Sequence, residues 1–264
     1  MKINQMKYTV EQINEFGQYY KNGHSLKETA EYFDVNYHTL KQILLKFGFR
    51  TTSKTLINQR VTKVTYFDII DSHEKAYWLG FMYSDGYISK SAYGCSIGLA
   101  LQLQDKYIIE RFKTVLNIPN KIGEYKNSCK LCFTCLHALK SLQNLGIVFD
   151  KSHEDYTIPN IPNEFINSFI LGYFDGDGCI TIKSTGYSVV SICSNSKTFL
   201  ESVKTHLETS GIVCRNICKE NRKNDLYVLY LSKRENQIKF ADYIYKDCPT
   251  YLFRKHDKFL QIPR

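Results

Sequence analysis

The sequence predicts an α+β protein. Two pseudo-symmetric αββαββα halves with antiparallel sheets follow a small all-α helix-turn-helix domain. Three observations lead there. A helix-to-strand segment occurs twice, 92 positions apart. Strand-period and helix-period stretches alternate in the same order after each copy. The first 50 residues carry three helix-start signals in succession.

The duplicated segment is clearest in its second copy, Ser168 to Ile182, read as S-F-I-L-G-Y-F-D-G-D-G-C-I-T-I. Ser168, Gly172 and Gly176 recur at i, i+4, i+8, a stripe almost without side chains on one helix face. Phe169, Ile170, Leu171, Tyr173 and Phe174 cover the other faces, and a helix apolar all round is buried. The small stripe lets a second backbone approach closely, by the steric logic of small-xxx-small pairs. Gly178 permits a sharp exit, and Cys179 to Ile182 reads as a strand. The first copy matches it: Ala76, Gly80 and Ser84 form the stripe, Asp85 is the acid, Gly86 the exit, and Tyr87-Ile88 begins the strand. Such a repeat predicts two helices packed about a pseudo-two-fold axis, with Asp85 and Asp177 side by side at one end. Two carboxylates at helix C-termini repel each other and meet the negative dipole ends. A divalent cation removes both objections, since hard cations take carboxylate, carbonyl and water oxygens. Paired acids with such a metal suit phosphodiester hydrolysis.

The segments W-L-G-F-M-Y-S-D-G-Y-I and I-L-G-Y-F-D-G-D-G-C-I resemble the two motifs of a monomeric LAGLIDADG homing endonuclease. The resemblance runs from about Phe67 onward. It implies residues 67–150 as the first half and 151–264 as the second, with strands forming two curved saddles over DNA. It implies Mg²⁺ or Mn²⁺ on Asp85 and Asp177, helped by the main-chain carbonyls of Ser84 and Gly176. It further implies cleavage across the minor groove with 3′ overhangs, by a monomer on a long asymmetric double-stranded site. Lys151 and Lys255, each following the last helix of its half, look like the family's active-site lysines, with Arg254 and Lys258 competing with Lys255. The saddle face would present Gln102, Gln104, Lys126 and Lys130, and in the second half Lys183, Lys219, Arg222 and Lys223. One departure is Tyr83, which stands where the second copy has Asp175. The alternatives within this fold are an RNA maturase acting on intron RNA and a DNA-binding regulator that has lost cleavage. An intein-derived piece is a third, with no splice-junction residues at either end to support it.

In chain order, Thr9-Val-Glu-Gln12 reads as a capping box opening a helix to about Lys21, and Ser25-Leu-Lys-Glu28 as a second one. Asn36 caps a third helix ending at Gly48. Ile13, Phe16, Leu26, Ala30, Val35, Leu40, Ile43 and Leu44 make a three-helix core. The short turn at Asp34-Val35 makes residues 1–50 similar to helix-turn-helix domains of the resolvase or transposase kind. Tyr37, His38, Thr39, Lys41 and Gln42 would read DNA from the third helix. Residues 51–66 form a basic linker. In the first half, helices are predicted at 74–84, 105–116 and 137–145, with strands at 87–89, 96–104, 121–126 and 130–134. In the second they are predicted at 168–176, 196–209 and 235–245, with strands at 179–183, 187–194, 213–219 and 226–232.

The 264 residues carry a net charge of +9, which favours a polyanionic partner. The 20 Tyr and 16 Phe, interleaved with Lys and Arg, suit a nucleic-acid surface as well as a core. No stretch has the length of a membrane span, and no signal peptide opens the chain. Nine scattered cysteines point to a reducing compartment, the cytoplasm, and the Lys, Asn, Ile and Tyr bias to an AT-rich bacterial or phage genome. Cys129, Cys132, Cys135 and His137 offer four zinc-type ligands, but their run is too compact for the usual two separated pairs, and the same residues fit a strand.

Overall fold

Three short helices open the structure, a computed structural model that describes residues 8–22, 24–49, 63–91, 94–147, 155–221 and 225–263. They are α1 (Val10–Lys21), α2 (Leu26–Tyr32) and α3 (Tyr37–Lys46). Both capping boxes form. Thr9 N–H donates to Gln12 Oε1 at 2.9 Å, and Ser25 N–H donates to Glu28 Oε2 at 2.6 Å. Asn36 Oδ1 accepts from the N–H groups of His38 and Thr39 at 3.0 and 3.3 Å, supplying two orphan donors of α3. Phe16, Tyr20, Leu26, Ala30, Val35, Leu40 and Leu44 form a core of their own. Ile43, predicted inside, is only half-buried.

The first half runs α4 (His73–Ser84), β1 (Gly86–Ser91), β2 (Gly94–Gln102), α5 (Lys106–Leu116), β3 (Gly123–Glu124), β4 (Ser128–Phe133) and α6 (Leu136–Asn144). The second runs α7 (Ile166–Asp177), β5 (Gly178–Ile182), β6 (Ser188–Ser194), α8 (Lys197–Thr209), β7 (Cys218–Lys219), β8 (Tyr227–Tyr230) and α9 (Lys233–Ile244). The predicted element order holds in both. Each half forms a four-stranded antiparallel sheet, ordered β1-β2-β4-β3 and β5-β6-β8-β7. The third strand of each is only two residues long. In the second half, Val213 N–H bonds the Asn236 side chain at 2.8 Å instead of a strand, which leaves only an isolated bridge between Cys214 and Leu231. A further helix, α10 (Phe253–Leu260), follows α9, beyond the last predicted helix.

One face of each sheet is packed. Ile88, Ile97, Leu99, Leu131 and Phe133 fill it in the first half, and Ile180, Val190, Ile192, Leu229 and Leu231 in the second. The register places Ser89, Ser96, Gln102 and Lys130 on the opposite face of the first sheet, and Thr181, Ser191 and Tyr230 on that of the second. No helix among the described residues is long and apolar enough to cross a membrane.

The halves meet at α4 and α7, which are buried almost throughout. Their stripes interlock reciprocally. A Cβ built on Gly80 would lie 1.9 Å from the carbonyl oxygen of Phe169, and one on Gly172 would lie 1.9 Å from that of Tyr77. These pairs are related by the same 92-residue offset, so the pseudo-two-fold axis passes between them. At the N-terminal ends, His73 Nδ1 and Ser168 Oγ bond at 2.9 Å. Gly172→Ala must push two backbones apart, and is expected to cost about 3 kcal/mol or more, the upper range for overpacking. Chemical denaturation of the single variant measures it, and a loss within error of zero would show that the two helices can separate freely.

Candidate active site

The interlocked stripes carry the two acids to one end. Asp85 caps the C-terminus of α4, its N–H bonded to Phe81 O at 3.1 Å, and Asp177 is the last residue of α7. A Cβ on Gly176 would lie 2.1 Å from Ser84 Oγ and 3.0 Å from Asp85 Oδ2. The end of α4 therefore rests on the residue before Asp177. Asp85 is half-buried and Asp177 exposed. The predicted group Ser84, Asp85, Gly176 and Asp177 is brought together. Its donors are all oxygen, carboxylate and main-chain carbonyl, which fits a hard divalent cation and not a thiophilic one. No group of three or more His, Cys, Asp or Glu side chains converges among the described residues. Carbonyls and water would complete the coordination.

Lys255 is at this joint, but not where the sequence reading put it. It is 4% exposed. Its Nζ donates to the carbonyls of Phe174, Asp175 and Gly178 at 2.6, 2.7 and 2.6 Å, with Gly176 O at 3.2 Å. An ammonium has three hydrogens, so these oxygens occupy it fully. It caps the negative end of α7 from inside the protein. Burial lowers its pKa to about 8, opposed by the nearby carboxylates of Asp175, Asp85 and Asp177. Its two competitors are also engaged. Arg254 Nε and a terminal nitrogen clamp the buried Asp105 carboxylate at 2.9 to 3.0 Å, and Lys258 Nζ donates to Ile180 O at 3.1 Å. Lys151 lies outside the described residues.

Asp175 is 1% exposed and accepts from Tyr77 OH at 2.9 Å and Leu252 N–H at 2.8 Å on one oxygen. Burial pushes its carboxyl up to about 7 against the pull of Lys255. At the matching position, Tyr83 OH donates to Leu145 O. Both positions thus tie down the chain that follows the last helix of their own half. A donor replaces an acceptor, and the partner changes from N–H to C=O. The departure at Tyr83 is met by its hydrogen bond to a main-chain carbonyl.

The remaining predicted residues fall into three groups. Gln102 and Lys130 are on the solvent face of the first sheet, with Gln104 bonded to Gln102 at 2.6 Å and Lys130 Nζ 4.9 Å above the Tyr87 ring. Lys126 is exposed in the β3–β4 turn, and Lys183 is exposed just past β5 on the side of Thr181. Tyr37, His38, Thr39 and Gln42 are exposed on α3, and Lys41 half-buried. Lys219 is a correction. It pairs with Tyr227, which shares the packed face with Leu229, and it bonds Asp225 at 2.7 Å. Cys218 takes the solvent-face position instead. Arg222 and Lys223 lie outside the described residues. Strand alternation also separates the thiols. Cys129 is buried in the core, Cys132 Sγ meets Tyr87 OH at 2.9 Å on the other face, Cys135 caps α6, and His137 bonds Asp68.

Sequence reasoning missed α10 and its role as a clasp. Besides Arg254 on Asp105, Phe253 N–H donates to Tyr107 OH at 2.7 Å and the two rings stack at 4.8 Å. Both partners belong to the first half. The signal was present in the spacing of Leu252, Lys255 and Phe259 at i, i+3, i+7, all now buried.

Comparison with known proteins finds a family match within the second half. Residues 164–245 match the model of the LAGLIDADG-like domain family. This stretch is similar to that family. It spans α7 through α9, so the match covers the second acidic motif, and the first motif repeats it 92 residues earlier. A probable translation initiation factor IF-2 of Methanocaldococcus jannaschii is 28% identical over 137 residues, 48% of this chain. The aligned region spans 11% of that relative's length. Similar solved structures include I-DmoI in complex with DNA and Ca, at 18% identity and TM-score 0.46, covering 69% of this chain and 90% of that one. I-AabMI bound to uncleaved DNA has 17% identity and TM-score 0.49, covering 70% and 87%.

Folded Asp175 holds its proton up to a higher pH than the unfolded chain does, so the folded state is favoured by acid and loses that advantage as pH rises from about 4 to about 7. The stability of the wild type relative to Asp175→Asn is expected to fall across this window, by at most about 1.4 kcal/mol per pH unit. Urea denaturation of both proteins at about pH 5 and about pH 7 reads the difference. An unchanged difference means that the carboxyl stays ionised throughout.

Proposed function

We propose that this chain is a site-specific double-strand DNA endonuclease of the homing type, working as a monomer on a long asymmetric site with Mg²⁺ or Mn²⁺. The observation that carries this reading is the delivery of Asp85 against Gly176, next to Asp177, by two duplicated helices, one of them within a LAGLIDADG-like domain. A bound divalent cation supplies an activated water and stabilises the leaving oxygen at a phosphodiester. The chain's own residues prepare the place. Asp85 and Asp177 give the carboxylates and Ser84 and Gly176 the carbonyls. Asp177 is exposed toward solvent, where a phosphate can reach it. Lys255 holds the α7–β5 joint rigid and offsets the acids without being consumed in a surface contact. The solvent faces of the two sheets, with Gln102, Lys130 and Lys183, bind the duplex, and the excess of positive charge draws it in.

The domain plan under this reading is 1–50 for a helix-turn-helix module, 51–66 for a basic linker, 67–150 for the first half and 151–264 for the second. The exposed Tyr37, His38, Thr39 and Gln42 on α3 lengthen the recognised site.

The test is selection from a randomised duplex library with Mg²⁺. Wild type is expected to cut one discrete long site, and Asp85→Asn and Asp177→Asn each to lose double-strand cleavage by at least about a hundredfold while still binding the selected duplex. Tight binding of duplex or intron RNA with no cleavage by wild type reassigns the chain to a regulator or a maturase.

A further inference from the structure

A second concave site lies away from the acids, at the end of the second sheet where β6 begins and β8 ends against the first turn of α9. The cavity holds about 300 Å³. Arg215, Lys233 and Arg234 line it with Tyr187 and Tyr230, and no carboxylate does. Two other lysines of this half are paired with carboxylates, Lys219 with Asp225 at 2.7 Å and Lys239 with Glu235 at 2.6 Å. Arg215, Lys233 and Arg234 form no such pair among the described residues.

The floor is built, not incidental. Gln237 lines the cavity and is 4% exposed. Its Oε1 accepts from Ser188 Oγ and its Nε2 donates to Ser188 O at 3.2 Å, which fixes the amide. The second Nε2 hydrogen has no partner among the described residues, and a buried donor left open is costly without a ligand or water. Ser232, in the N-cap position of α9, does not cap the helix; its hydroxyl donates to Val213 O at 2.8 Å. Lys233 has φ +56°, a left-handed conformation that favours glycine, yet it keeps a charged side chain at the rim.

We propose that this cavity is an anion site that takes a phosphate group of a nucleic acid, with the attached sugar or base against Tyr187 and Tyr230. Two guanidinium groups match phosphate oxygens as forks, and a ring beside them stacks on a base or sugar. Tyr230 lies opposite Ser191 on the sheet face away from Val190 and Ile192, so a duplex along that face reaches the cavity at its flank. The assignment to duplex DNA rests on the proposed endonuclease reading; the anion chemistry does not.

Two arms test it on the full chain. Binding of the selected duplex is measured against salt for wild type, Arg215→Gln/Arg234→Gln and Lys233→Gly. The double variant is expected to bind about tenfold more weakly, with the slope of log K on log salt shallower by about one, and to cut at the same position. Lys233→Gly relieves the left-handed residue, so it is expected to melt no lower than wild type while also binding more weakly, which separates lost contact from lost fold. In the second arm, inorganic phosphate is titrated into isotope-labelled protein. A saturable shift of the Gln237 side-chain amide is expected in wild type and not in the double variant. No shift in wild type overturns the anion site. A shift with unchanged duplex affinity and slope overturns the nucleic-acid assignment and leaves a site for a free phosphate ester. Failure of wild type to bind any duplex removes the endonuclease reading, and the phosphate titration still decides the cavity.

Discussion

Backbone-to-backbone contact between α4 and α7 is the constraint on which the rest depends. Gly80 under Phe169 O and Gly172 under Tyr77 O leave no room for even a methyl group. Close packing has no soft coordinate here, because each neighbour is main chain rather than the flexible end of a side chain. The approach sets the distance between two sheets that otherwise belong to separate halves. It also sets the relation between two carboxylates contributed by residues far apart in sequence. Helices held apart by side chains would leave those acids with independent positions.

That arrangement concentrates negative potential at the end of α7. The helix terminus contributes carbonyl dipoles, and Asp85, Asp175 and Asp177 contribute carboxyl groups. Lys255 answers it from inside the protein, and Tyr77 and Leu252 N–H answer Asp175. Burial works against both Asp175 and Lys255, pushing the acid up and the amine down. The Lys255 ammonium ties together the joint that carries Asp177 through the carbonyls of Phe174, Asp175 and Gly178.

The duplication, the order of elements and the partnership of Asp85 with Asp177 were legible because each follows from spacing. A small residue every fourth position says that backbones approach, and a common offset says what they approach. The function of Lys255 was not legible. A lysine's neighbours in sequence do not show whether its amine meets solvent or main chain, and here the partners are carbonyls some 80 residues away. Lys219 was misplaced for a different reason. In a two-residue strand a shift of one position exchanges the faces, and hydrophobic alternation is too short there to set the register. Tyr83 and Asp175 are chemically unlike yet equivalent, because the structure asks that position for a tether to the following segment and not for a particular charge.

The clasp made by α10 has a consequence for how the protein comes into being. Both acids and the eight strands of the described residues precede α10 in the chain, yet the cation that settles α7 and the arginine that grips Asp105 are on α10. During synthesis the two halves can pair through α4 and α7 while the joint beside Asp177 still lacks its internal counter-charge. A partly made chain therefore carries both Asp85 and Asp177 without the clasp that steadies the end of α7, which forms only as α10 folds back across both halves.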